Sequence, residues 1–215
     1  MNSYVFILSF LILVSLHDTS IRNDHIYYNN GKKVQIQLVD SLGTITLVIP
    51  ERYDTSFSWI HRSDCGKSCD LQKYRFQPKY YPIVKESGWY WTEEATDSVD
   101  RLTISHSRYI PFSDGDTARN IGLHAHFKTQ LSYTDPGMKI ILDTILRIND
   151  RYFSIYEMER SDSIFVRELV AITTIKNNPV RFNYKMMSRK NDTLTKGFIK
   201  NALFLIKETK ISKGQ

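Results

Sequence analysis

The feature that most restricts this chain is period-two alternation, repeated in short bouts between turn signals. In VQIQLVD–SLG–TITLVIP (34–50), Val34, Ile36 and Leu38 alternate with polar residues. Ile45 and Leu47 do so again after a turn carrying Gly43. Successive strand side chains point to opposite faces, so such a bout lays its apolar residues on one face. Two bouts joined by a short polar turn predict a β-hairpin, and Pro50 closes this one. FSWIHR (57–62) and LQKYRF (71–76) repeat the pattern around DCGKSCD, which becomes a hairpin tip. A further strand is predicted at 102–106. ILDTILRIND and RYFSIYEME pair around Asn149 and Asp150. IFVRELVAITTI (164–175) pairs with VRFNYKMMSR (180–189) through KNNP.

Two segments read differently. In residues 120–133 the odd positions Ile121, Leu123, Ala125, Phe127, Leu131 and Tyr133 are apolar, and the even ones are polar or Gly. The period is two, which predicts a strand, although Asp116 followed by Thr-Ala-Arg is a helix-start signal. TLTKGFIKNALFLIKETKI (193–211) is helical in period. Phe198, Ala202, Leu205 and Ile206 share one face, with Lys196, Lys200 and Lys207 on the other. The expected class is α+β: a mainly antiparallel sheet of consecutive hairpins, with a C-terminal amphipathic helix packed on one face.

Residues 5–16 are an unbroken apolar run with interspersed Ser. Twelve residues cannot cross a hydrocarbon core, which needs about 20. The run fits the apolar region of a secretory signal peptide, expected at 1–20, although no Lys or Arg precedes it. Residues 21–215 then form a single domain, since no linker tract or internal repeat interrupts them. The expected location is outside the cytosol: periplasmic, on the outer surface, or secreted. A hydrophobic content of 41% and an aromatic content of 13% suffice for a packed core.

Export decides how Cys65 and Cys69 are read. In an oxidising compartment an even count at close spacing predicts a disulfide. A tip containing Gly66 can bring the two Cα atoms within the roughly 4.4–6.8 Å that a bridge needs. A competing reading joins His61, Cys65 and Cys69 as a metal or thiol-redox site. That HxxxCxxxC spacing is similar to the one in copper-carrying thioredoxin-like proteins, but those set it at a strand-to-helix turn. His124 and His126 form a second candidate metal pair if 120–133 is a strand, with His106, Asp114 or Asp116 as a third ligand. On a helix the two rings would diverge by about 200°. DGD (114–116) lacks the ligand run of a calcium loop. Trp89, Tyr90 and Trp91 beside Gly88 are the densest aromatic patch and a candidate ligand surface. Lys73, Arg75 and Lys79 alternate along one strand face, which predicts a solvated basic stripe.

The formal charge is +6, and residues 176–215 hold ten Lys and Arg against Asp192 and Glu208 only. This excess reads as the solvated face of a terminal hairpin and helix, or as a weak contact for an anionic membrane surface. Nucleic acid is not an expected partner, because the aromatic interleaving of a strand-binding surface is absent there.

The closing pattern of strand, KNNP turn, VRFNYKMMSRKND and then FIKNALFLIKETKI resembles the end of secreted PsbP-like domains. The resemblance covers about the last 70 residues. It implies a sheet with packed helices and a non-enzymatic accessory role, and it carries over no site residues. No GxSxG, Walker, GxGxxG or HExxH pattern is present. The sequence therefore points to a non-catalytic exported binding or accessory protein of the cell envelope or extracellular space, with no cofactor and with ligand and partner open. Two alternatives stand: a metal-handling or thiol-redox protein using His61, Cys65 and Cys69, and a hydrolase with a dispersed site.

Overall fold

The computed structural model of the chain describes residues 31–86, 98–108, 121–134, 137–161, 164–189 and 193–213. Among them the alternating bouts become strands β1 (Gly31–Leu38), β2 (Gly43–Pro50), β3 (Thr55–His61), β4 (Leu71–Gln77), β5 (Ser98–Ser107), β6 (Lys139–Ile148), β7 (Arg151–Ser161), β8 (Phe165–Ile175), β9 (Asn178–Ser188) and β10 (Lys210–Lys213). Helix α1 is Ile121–Thr134 and helix α2 is Thr193–Lys207. The leader at 1–20 lies outside the described residues.

Turn chemistry places the hairpins. Lys176 and Asn177 both take positive φ (50° and 60°) between β8 and β9, the two-residue geometry whose twist matches the flanking strands. Asn149, at φ 52°, turns β6 into β7. Asp40 and Ser41 (φ 60° and 56°) precede Gly43 at φ 118° in the first hairpin. Asn and Asp tolerate this left-handed region because their short side chains bond locally.

The hairpins form two sheets rather than one. The larger has the order β3-β4-β5-β9-β8-β7-β6, and the smaller has the order β1-β2-β10. Every strand pair is antiparallel. The division follows from Pro50, after which the chain turns through Tyr53, whose N–H bonds the Pro50 carbonyl at 3.0 Å. Strand β10 then returns to β2, setting Ile211 opposite Ile45. The small sheet and α2 share one face of the large sheet. Ile45, Leu47 and Ile49 from β2, and Phe198, Ala202, Leu205 and Ile206 from α2, join Leu102, Ile104, Phe153, Leu169 and Phe182 in one core. The apolar face expected of α2 is the face it buries.

Residues 121–133 are not a strand but lie in α1. The helix wins because only part of the odd set is apolar in effect. Leu123, Phe127 and Leu131 recur every four residues and form a stripe that packs on Tyr156, Met158, Val170 and Ile172. Ala125 and Tyr133, which the alternation would also bury, are exposed. Tertiary contact with β7 and β8 therefore selects the helical period from a segment compatible with both.

Candidate functional site

Each strand that gives the core an apolar residue gives its neighbours to the other face of the large sheet. Helix α1 covers that far face over β7 and β8. Over β3, β4 and β5 the far-face positions include Trp59, opposite Lys73 in the register, and Arg75, opposite Thr103. Arg101 follows on β5, opposite Lys185 on β9. Segment 81–86 lies against this surface.

Glu86 is the centre of the arrangement. Its two carboxylate oxygens accept from Arg75 Nη2 at 2.8 and 3.1 Å. Lys73 Nζ stands 3.6 Å away and Arg101 Nη2 3.9 Å away. The Arg75 side chain is 3% exposed and that of Glu86 8%. Burial by itself would push the Glu86 carboxyl up, but the three cations outweigh it and hold the group below the usual glutamate range. Burial pushes the Lys73 ammonium down, and Glu86 restores only part of the shift. Burial, then the neighbouring Arg75, brings Arg101 down to about 10. Arg101 therefore stays charged at neutral pH.

The same residues hold the backbone of segment 81–86. Trp59 Nε1 donates to the Glu86 carbonyl at 2.9 Å, and His61 Nδ1 is 2.9 Å from the same oxygen. Gln77 Nε2 donates to the carbonyls of Tyr81 and Pro82, both at 3.1 Å. Arg75 Nη1 donates to the Val84 carbonyl at 3.3 Å. The indole of Trp59 lies 4.9 Å from Arg75 Cζ and 5.7 Å from Lys73 Nζ, within cation–π range. Farther along the face, Glu168 accepts from Lys185 at 3.3 Å and from Asn183 at 3.0 Å. These groups bind one another and a stretch of backbone. The arrangement is a clamp, and what it holds in place is the outward side of segment 79–86. There Tyr80 is 71% exposed, Ile83 59% and Val84 39%.

The residues singled out in the sequence fall elsewhere or change role. Of the stripe of Lys73, Arg75 and Lys79, only Lys79 is solvated. Segment 81–86 buries the first two, and the Lys79 backbone N–H is tied to Asp54 at 2.7 Å. Cys65 and Cys69 are joined by a disulfide, with Cα atoms 6.0 Å apart. Both sulfurs are thereby occupied by each other, and His61 faces the Glu86 carbonyl. His124 and His126 sit on α1, not on a strand, so they share no face. His124 stacks on Tyr156 at 4.8 Å, and His126 is exposed. The Tyr156 hydroxyl donates to the His124 carbonyl at 2.7 Å. His106 is buried at 1% exposure on the core side and contacts Tyr74 and the Ser107 carbonyl. Among the described residues no group of three His, Cys, Asp or Glu is placed to hold a metal ion. Trp89, Tyr90, Trp91, Asp114 and Asp116 lie outside the described residues. The basic C-terminal region divides: Lys200, Lys207 and Lys210 are exposed, whereas Lys185 is paired with Glu168 on the far face.

Sequence reasoning missed Trp59, Gln77, Arg101 and above all Glu86. One signal was available. With the tip at 62–70, where His61 stands opposite Leu71, the hairpin register sets Trp59 against Lys73, an aromatic facing a cation on a face presumed wet.

No known protein-family pattern matches the chain, and no curated protein matches it. Among solved structures it is similar to the solution structure of cyanobacterial PsbP (CyanoP) from Synechocystis sp. PCC 6803. The two share 10% identity over 93% of this chain and 99% of that one, with a TM-score of 0.47. No helix among the described residues is long and apolar enough to cross a membrane.

Proposed function

We propose that the protein is a non-catalytic exported binding or accessory protein of the cell envelope or extracellular space, and that segment 79–86 is its binding surface. The observation that carries this reading is the clamp. The most deeply buried carboxylate–guanidinium pair of the far face, Glu86 with Arg75, serves to hold a short stretch of backbone whose apolar side chains face outward. A buried ion pair contributes little net stability against a well-packed apolar pair, so its use here fits a need to specify one geometry. Export is supported by the apolar run at 5–16 and by the disulfide between Cys65 and Cys69, a bond that persists in oxidising compartments.

The test is a turnover screen of the purified protein on ester, glycoside and peptide substrates, beside fractionation of expressing cells. The expected result is no turnover, with the chain recovered outside the cytosol. Turnover that a single point substitution abolishes would overturn the non-catalytic reading. Recovery in the cytosol with both thiols reduced would overturn export.

A further inference from the structure

We infer that segment 79–86 docks the protein on a membrane surface containing anionic phospholipid, inserting Tyr80, Ile83 and Val84 among the headgroups. The inference rests on the proposed use of this segment as the binding surface, and it names the partner.

Three observations carry it. The first is clustering. Of the seven large apolar side chains that stand exposed among the described residues, three lie within five positions here, with exposed Pro82 between them. Packing does not require these residues to be apolar, and contiguous exposed apolar groups mark interaction surfaces.

The second is the state of the backbone. Entering a headgroup layer strips water from peptide groups, and an unsatisfied carbonyl there costs several kcal/mol in hydrocarbon. Here the carbonyls of Tyr81, Pro82, Val84 and Glu86 already accept from Gln77, Arg75 and Trp59 beneath them. Pro82 has no N–H, and the Tyr81 N–H bonds the Pro78 carbonyl at 3.1 Å. These four carbonyls therefore shed little hydration when the segment leaves water. A protein partner that added a strand would need open backbone groups, and these carbonyls are taken.

The third is charge. Exposed Lys79 and Lys85 bracket the apolar residues. Lysine stems lie along apolar surface while their ammonium groups reach anionic headgroups. Tyrosine at Tyr80 suits the boundary between the apolar and wet zones. The contact is separate from the basic C-terminal region, whose exposed lysines surround no comparable apolar cluster among the described residues.

The experiment is co-sedimentation of the protein, as isolated from expressing cells, with two kinds of vesicle: phosphatidylcholine alone, and equal parts phosphatidylcholine and phosphatidylglycerol. Wild type, Ile83→Asp, Lys79→Gln/Lys85→Gln and Lys200→Gln/Lys207→Gln/Lys210→Gln are compared. The apolar run at 5–16 is common to all, so differences between variants carry the result. Wild type should bind the mixed vesicles and bind phosphatidylcholine more weakly. Ile83→Asp should weaken binding by about tenfold or more. The Lys79/Lys85 variant should lose about fivefold per lysine on mixed vesicles only. The triple C-terminal variant should bind as wild type does. All substituted side chains are exposed, and unchanged thermal melts confirm that each variant folds. Binding that Ile83→Asp leaves intact, loss confined to the C-terminal variant, or no wild-type binding to either vesicle would each overturn the inference. None of these outcomes bears on whether the protein turns over a substrate.

Discussion

The two faces of the seven-stranded sheet are built from the same strands and by opposite means. The core face buries Leu102, Ile104, Phe153, Leu169 and Phe182 against β2 and α2, at 0–1% exposure. The far face, where α1 does not cover it, buries Lys73, Arg75 and Glu86 against segment 81–86. Apolar packing is non-directional and tolerates repacking of similar volume. An ion pair and its hydrogen bonds are directional and are satisfied in one arrangement only. The difference indicates that this chain uses its apolar face for stability and its ionic face for position.

The largest effects separate the two faces. Glu86→Ala should cost about 3–5 kcal/mol in urea unfolding, because it leaves Arg75 buried without its carboxylate. Phe182→Ala should cost a similar amount, about 3–5 kcal/mol, from the core side. The faces then part company on rescue. Arg75→Met combined with Glu86→Leu should recover part of the loss, since it removes the buried pair but leaves Lys73 and Arg101 without their carboxylate. A Glu86→Ala cost below about 1 kcal/mol would remove the contrast.

Leu131→Ala probes the part of the far face that α1 covers and that is apolar. It should cost about 2–3 kcal/mol, the low end of the range for a buried leucine. The loss should appear in unfolding of the whole domain, with Tyr156 fluorescence following the same curve.

Acid should act on the ionic face first through Glu86. Its folded carboxyl lies below the ordinary value, so the folded chain binds fewer protons than the unfolded one. The stability it contributes is complete above about pH 4.3 and is lost as pH falls through the folded value. His106, held neutral by burial, has the same sign, and its loss begins from about pH 6.5 downward. A melting series against pH should therefore fall on acidification in both windows, and the lower one should vanish in Glu86→Ala.

Removing the disulfide with Cys65→Ser/Cys69→Ser should cost about 2 kcal/mol or less, because the loop it closes is so short. The smallest effect is expected outside both faces. Ile83→Asp should change unfolding stability by no more than about 0.5 kcal/mol, as exposed substitutions do. A larger loss would mean that segment 79–86 belongs to the core rather than to a binding surface.

Much of the architecture was legible in the residues taken alone. The hairpins at 34–50 and 57–76, and the two flanking Asn149 and Lys176, follow from period-two bouts and from turn residues that accept positive φ. Both signals act within about ten residues of chain. The helical face of Phe198, Ala202, Leu205 and Ile206 was equally local. Beyond that range the reading failed or fell silent. The segment at 121–134 satisfied two periods at once, and its contact with Val170 and Ile172, some 40 residues away, chose between them. Arg75 read as solvated because alternation reports which face a side chain occupies, not what covers that face. Glu86 and Trp59, 27 residues apart, supplied the cover. Local chain stiffness and turn stereochemistry are written residue by residue, so sequence determines them. Burial of a charge depends on which distant segment comes to lie over it, and only the assembled structure decides that.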